Sequence, residues 1–114
     1  MRLVIVESPY AGNEERNLDY ARACMRDCLE RGESPYASHA LYTQEGVLDD
    51  EEPEERALGI KAGFAWRRVA DATVVYTDYG VSDGMKAGII DAAIAGRPIE
   101  MRTLPPSVRR GIRE

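Results

Sequence analysis

Residues 72–94 of the chain, ATVVYTDYGVSDGMKAGIIDAAI, run from an apolar strand through a glycine-rich turn into a helix. Residues 73–76 are β-branched or aromatic without polar alternation, which is typical of a strand buried on both faces of a parallel sheet. Open α/β sheets bind ligands in the loop after such a strand. Ser82 or Asp83 can cap the following helix, so that its free N–H groups favour an anion or a ribose. An ordinary capped turn has the same pattern.

The rest of the chain repeats this arrangement. Strands are predicted at 3–7 (LVIVE), 35–42 (PYASHALY) and 98–101 (PIEM), the last at an edge because of its proline. Capping signals and apolar spacing predict helices over 13–32 and 53–69. This βαβαβαβ order with right-handed crossovers predicts the α/β class. We expect a single-domain, doubly wound, flavodoxin- or Rossmann-like parallel sheet of about four strands, order 2-1-3-4, with helices on both faces.

Length and composition fit one globular domain. The chain has 114 residues and a formal net charge of −5, and we expect an α/β domain over 1–104 followed by a C-terminal tail over 105–114. The negative charge argues against a nucleic-acid polymer as partner. The apolar run at the N-terminus is too short for a signal peptide or a membrane span, so we expect a cytoplasmic protein without a membrane partner.

The cysteine and histidine content limits which disulfide and metal sites the chain can form. Cys24 and Cys28 lie four residues apart on a predicted helix, a spacing that suits packing better than a disulfide framework. The chain contains a single histidine, which disfavours a structural zinc site. We therefore expect no metal and no cofactor.

The expected strand order brings two loops together. It places a switch point between the first and third strands, where the loops 8–13 and 78–85 face each other across one crevice. Both loops offer small residues, hydroxyls and a helix N-terminus, which suit a small-molecule site. Tyr10 can stack on a base or pack on the neighbouring loop, and His39 can reach the crevice or remain a surface residue. The candidate ligand-binding residues are Ser8, Tyr10, Gly12, Asn13, His39, Asp78, Gly80, Ser82, Gly84, Met85 and Lys86.

Several short motifs occur in a familiar order. They are SPYAGN at 8–13, VADATVVYTD at 69–78, D-x-G-x-S-x-G-M at 78–85 and GRP at 96–98. Over about residues 3–102 the chain resembles the nucleoside 2-deoxyribosyltransferase-like superfamily, especially its small phage and bacterial members of unknown function. The resemblance implies a nucleoside or nucleoside monophosphate as ligand. It also implies cleavage or exchange of an N-glycosidic bond.

The resemblance assigns roles to individual positions. Residues 8–12 resemble the segment beside the sugar or phosphate, and Asp78 resembles an aspartate that helps to hold the base or its leaving nitrogen. Gly84 and Met85 match the start of the active helix, but Lys86 stands where the deoxyribosyltransferases carry the attacking glutamate. A lysine ammonium would repel the oxocarbenium-like charge that this reaction develops.

Three functions remain open on the sequence. The first is recognition or sequestration of a nucleoside or nucleotide without cleavage. The second is an active N-glycosidase or deoxyribosyltransferase that uses another carboxylate, with Asp83 and Glu7 as candidates. The third is a protein-interaction module without catalysis. In each case we expect a homodimer or a higher homo-oligomer, formed through the Gly59, Gly63 and Trp66 face of the second long helix together with the tail.

Overall fold

The computed structural model describes residues 1–112, apart from the side chain of His39. Strands and helices alternate along the chain, with two short helices added to the expected pattern. In order, the elements are β1 (Arg2–Glu7), α1 (Glu14–Glu30), β2 (Glu33–Tyr36), α2 (Ser38–Leu41), α3 (Pro53–Arg67), β3 (Ala72–Tyr76), α4 (Asp83–Ala95), β4 (Ile99–Arg102) and α5 (Pro106–Arg110).

The four strands form one parallel sheet. Their order is β2-β1-β3-β4, so the predicted fold class and strand order are confirmed. Ile5 of β1 pairs with Tyr36 on one side and with Thr73 on the other. All five residues of β3 are buried, which explains its continuous apolar sequence. Because the strands are parallel, the loops after β1, β2 and β3 meet at one edge of the sheet.

Helices cover both faces of the sheet. Side chains alternate along a strand, and one face packs on α1 in a buried cluster that contains Val4, Val6, Tyr20, Cys24, Cys28, Ala72, Val74, Tyr76 and Leu104. On the other face, α4 buries Met85 and Ala92. Helix α3 shares that second face, since its Arg67 bonds to Glu7 of β1.

The second strand differs from the prediction. It spans Glu33–Tyr36 instead of 35–42, and residues Ser38–Leu41 form α2. Gly32, at φ +80°, turns the chain directly from α1 into β2. The prediction relied on the apolar residues near 40, whereas the strand that pairs with β1 is short and largely polar, as an edge strand tolerates. His39 therefore lies in α2, three residues after the end of β2, and not within the strand.

The segment after β4 returns to the loop between β3 and α4. Leu104 is buried in the α1 cluster, and its N–H donates to Asp78 Oδ2 at 3.0 Å. The guanidinium of Arg109 in α5 lies 5.1 Å from the ring centre of Tyr79. These contacts fix the start of the C-terminal segment against the sheet's carboxyl edge.

Across residues 1–112 the structure contains no helix with the length and apolar character needed to cross a membrane.

Candidate functional site

A cavity of about 230 Å³ lies between α3 and the loops that follow β1 and β2. We call it the α2–α3 pocket. Its lining combines apolar side chains, aromatic rings and ionisable groups. We call the part at Arg67, which pairs with the buried Glu7, its base, and the part at Asp50 and Glu55, which also line a second cavity, its mouth. It is lined by Tyr10, Ser38, Tyr42, Thr43, Leu48, Asp50, Glu55, Arg56, Gly59, Ile60, Gly63, Phe64 and Arg67. Apolar walls with a few polar groups are typical of a small-molecule site.

The two glycines of α3 make room for this pocket. A Cβ on Gly59 would lie 3.3 Å from Leu48, and one on Gly63 would lie 3.7 Å from the hydroxyl of Tyr36. The approach at Gly59 is tighter than an ordinary van der Waals contact, whereas the one at Gly63 is ordinary, so only Gly59 allows a close approach by a side chain of the same chain. The sequence interpretation instead assigned them to contact with another subunit, and that assembly stays a prediction.

Arg67 lines the base of the pocket and begins an ionic network. Its Nη2 donates to Glu7 Oε2 at 2.9 Å, and its Nη1 donates to Asp91 Oδ2 at 3.4 Å. Asp91 in turn accepts from Arg97 Nη2 at 2.7 Å. Arg97 also donates to Thr73 Oγ1 at 2.9 Å and to the carbonyl oxygen of Arg67 at 3.0 Å. The network therefore ties α3, α4 and the strands β1 and β3 together.

Glu7 is the buried carboxylate of this network. The residue is 6% exposed, and burial raises the pKa of its carboxyl while the Arg67 guanidinium opposes that rise. A Cβ built on Gly88 of α4 would overlap the Glu7 carboxylate. Glu7 thus occupies the space that a side chain on the inner face of α4 would fill.

The predicted site residues of the loop after β1 lie in different surroundings, and His39 lies outside this loop. Tyr10 lines the pocket, and burial, followed by the charge of a nearby glutamate, raises the pKa of its phenol. Ser8 is buried and, within the described part of the chain, its hydroxyl has no hydrogen-bond partner. Gly12 is exposed at φ +100°, and Asn13 caps α1 through its side chain. The side chain of His39 lies outside what the structure describes.

Asp78 and Gly80 lie in the loop after β3, away from the α2–α3 pocket. Asp78 Oδ2 accepts from the hydroxyl of Tyr20 at 2.6 Å and from the N–H of Leu104. It therefore joins α1 and the C-terminal segment to this loop. Gly80 is exposed at φ +84°, a backbone conformation that favours glycine.

The predicted residues at the start of α4 serve mainly the helix end. Ser82 is the N-cap, and its Oγ accepts from the N–H of Met85 at 3.3 Å. Met85 is buried under the helix, while Gly84 is exposed. Lys86 and Asp83 both face solvent, with side-chain exposures of 64% and 104%, and Lys86 Nζ lies 3.9 Å from Asp83 Oδ1. Neither lines the α2–α3 pocket.

The structure therefore brings only part of the predicted site together. Of the named residues, Tyr10 enters the pocket and Glu7 reaches it through Arg67. Sequence reasoning missed Arg67, Asp91 and Gly88 as a group. No local motif signals them, because they come from two helices and act on a side chain of β1. The one available signal was a glutamate at the end of an otherwise apolar strand.

An acidic groove adjoins the mouth of the pocket. This second cavity, of about 560 Å³, shares several lining residues with the first, including Tyr10, Thr43 and Leu48. Its carboxylates are Glu14, Glu45, Asp49, Asp50, Glu51 and Glu55. Across the described residues, no cluster of three or more His, Cys, Asp or Glu side chains has a geometry that could hold a metal ion.

A solved structure has the same fold. It comes from the characterisation of a 2-deoxyribosyltransferase of Bacillus psychrosaccharolyticus, and it matches 89% of this chain and 72% of its own with a TM-score of 0.63 at 18% identity. At that identity the likeness concerns the fold alone. No curated protein matches the chain.

A match to a family model shows which family the chain belongs to. The model of a domain of unknown function, DUF7768, matches residues 2–102. The chain belongs to this family, and the match spans all four strands and the α2–α3 pocket.

Proposed function

We propose that the chain binds a nucleoside-like ligand in the α2–α3 pocket. The observation that carries the proposal is the pocket itself, which lies at the carboxyl edge of a parallel sheet, where α/β proteins bind ligands. Tyr10, Tyr42 and Phe64 offer aromatic surface for a base, and Ser38 and Thr43 offer hydroxyls for a sugar. The fold likeness to a 2-deoxyribosyltransferase agrees with such a ligand.

Recognition without cleavage fits the residues at the start of α4. The resemblance places the attacking carboxylate at position 86, which is a lysine, and that lysine faces solvent. Asp83 is fully exposed and lines no part of the pocket. Neither residue can stabilise positive charge on a sugar bound in the pocket.

The test is a ligand-observed NMR screen of nucleosides, nucleotides and cyclic nucleotides, followed by chromatography for released base. Binding without release supports the proposal, and no binding by any of these compounds contradicts it. Thr43→Trp should fill the pocket and abolish binding. Gln44→Trp is the matched control, because residue 44 is exposed and does not line the pocket.

One observation favours a second function, N-glycosidic cleavage. Glu7 is buried, and it bonds to Arg67, which lines the pocket. Glu7 does not itself line the pocket, so cleavage by this carboxylate requires Arg67 to move aside and expose it to the anomeric carbon. If the wild type releases base, Glu7→Gln should stop the release and Asp83→Asn should not. The reverse result would assign the chemistry to Asp83.

A further inference from the structure

The charge of the pocket base is balanced within the chain. Two guanidiniums, of Arg67 and Arg97, meet two carboxylates, of Glu7 and Asp91, through contacts of 2.7 to 3.4 Å. Arg67 is therefore no free cation. Its remaining N–H groups can donate to an uncharged oxygen, but a phosphate gains little from a guanidinium that two carboxylates already neutralise.

Gly88 determines how the carboxylate reaches this position. On α4 the buried positions are 85, 88 and 92, so a side chain at 88 points towards the sheet whereas Lys86 points outwards. Any Cβ at 88 would overlap the carboxylate of Glu7. The interior carboxylate thus enters from β1 through space that α4 leaves open.

The mouth of the pocket carries the opposite charge to a phosphate-binding site. Asp50 and Glu55 line both the pocket and the adjoining groove, which adds Glu14, Glu45, Asp49 and Glu51. Within residues 1–112 none of these six carboxylates forms a salt bridge with an arginine or lysine. Arg56 is the other cation at the pocket, and it is exposed. An anionic ligand would be repelled as it enters.

We propose that Arg67, held by Glu7 through the space left by Gly88, is the specificity-determining contact of the pocket and selects an uncharged nucleoside over a nucleoside phosphate. This inference rests on the proposed function. Glu7 is a positioning residue in this arrangement, because Arg67 lies between it and the ligand. The balanced charge at the base of the pocket and the carboxylates at its mouth both disfavour binding of a phosphate group.

Calorimetric titration tests the selectivity. The probes are the common ribonucleosides and 2′-deoxyribonucleosides, each beside its own 5′-monophosphate, in low and high salt. We expect the wild type to bind its preferred nucleoside about tenfold or more tightly than the monophosphate, with the gap narrowing in high salt. A monophosphate that binds as tightly as its nucleoside overturns the inference but leaves the proposed function standing. If no probe binds, both fail.

The Glu7→Gln variant tests the positioning role. It keeps the shape of the side chain but leaves the network with one excess positive charge. We expect nucleoside binding to weaken about tenfold and the discrimination against the monophosphate to shrink. An equal loss for both ligands would indicate a merely structural role and would overturn the assignment. Glu30→Gln is the matched control, since Glu30 is exposed on α1 and pairs with Arg26.

A double-mutant cycle, measured without ligand, tests whether Gly88 makes room for Glu7. Gly88→Ala should lower Tm by several degrees in the wild type, because the new methyl group displaces the carboxylate of Glu7. In a Glu7→Ala background the same substitution should have little effect. An equal decrease in Tm in the two backgrounds would show that Gly88 does not serve to accommodate Glu7. This measurement does not depend on any ligand.

Discussion

Arg102 is a buried cation whose partners come from both edges of the sheet. Its Nη atoms donate to the two carboxylate oxygens of Glu33, each at 2.7 Å, and Nη2 also donates to Glu100 at 2.9 Å. Hydrogen bonds from Arg102 hold the pKa of Glu33 below its ordinary value. A bidentate pair of this kind fixes geometry more firmly than a single contact, so it links β2 to β4 across the α1 face.

We predict that Glu33→Gln lowers the free energy of unfolding by about 3 kcal/mol at pH 7, because it leaves a buried guanidinium without its main partner. Since the pKa of Glu33 is lowered on folding, its contribution is complete above the unfolded pKa of about 4.3 and is lost as the pH falls through the lower folded pKa. Urea titrations at pH 7 and below pH 4 should therefore show a smaller acid-induced loss in the variant. An unchanged acid-induced loss would contradict this.

Cys24 and Cys28 belong to the α1 cluster, and the sulfur of Cys28 also lies 3.5 Å from the Tyr76 hydroxyl and 3.8 Å from Arg102 Nη1. Both are buried, and burial raises the pKa of each thiol, which disfavours the reactive thiolate. We predict that replacing both by Ala costs about 1 to 3 kcal/mol in the free energy of unfolding and leaves ligand binding intact. Thiol labelling of the native protein should be slow. Loss of binding in a folded double variant would assign the cysteines a role that their position does not suggest.

At the scale of elements, the start of α4 is explained by capping. Ser82 accepts from the N–H of Met85, and its own N–H donates to the Met85 sulfur at 3.4 Å. Gly96 ends the helix at φ +70°, as its position in the sequence indicates. These features need no ligand, although the sequence interpretation placed one here.

We predict that Ser82→Ala lowers the free energy of unfolding by about 1 kcal/mol, the usual cost of a lost N-cap. Nucleoside binding should stay within twofold of the wild type, because Ser82 does not line the α2–α3 pocket. Ser107→Ala, at an exposed position within α5, is the control and should be neutral. Abolished binding in a stable Ser82→Ala variant would return the site to the β3–α4 loop.

For the whole molecule, apolar surface remains uncovered on the face that carries α3 and α4. Leu58, Trp66 and Val69 of α3 or its end are about half exposed, and Ile90 and Ile94 of α4 are 58% and 84% exposed. Trp66 stacks on Tyr36 at 5.3 Å, so part of its ring is covered within the chain. Exposed apolar side chains on two helices of a small domain favour association.

We predict a homodimer formed through this face. Light scattering at tens of micromolar should give twice the chain mass of 12.7 kDa, and Ile94→Arg should shift the mass towards the monomer. Leu29→Arg is the control, because Leu29 is equally apolar but lies on α1. A wild-type mass near 12.7 kDa would remove the prediction.

The sequence by itself determined the sheet. Apolar runs at residues 3–7 and 72–76, separated by capped amphipathic helices, can be buried only as central parallel strands, and right-handed crossovers then leave few orders. The caps at Asn13 and Ser82 and the glycine at position 96 were equally readable, because each depends on interactions within four residues. The edge strand β2 was misplaced because an edge tolerates polar residues and gives no periodic signal.

Only the tertiary structure decided where the pocket lies. The sequence directed attention to the loops after β1 and β3, whereas the cavity opens between α3 and the loops after β1 and β2. Its base depends on Glu7, Arg67, Gly88 and Asp91, which are distant in sequence and meet only when α3 and α4 pack on one face of the sheet. The inward direction of residue 88 and the outward direction of Lys86 follow from that packing. Neighbours along the chain cannot reveal it.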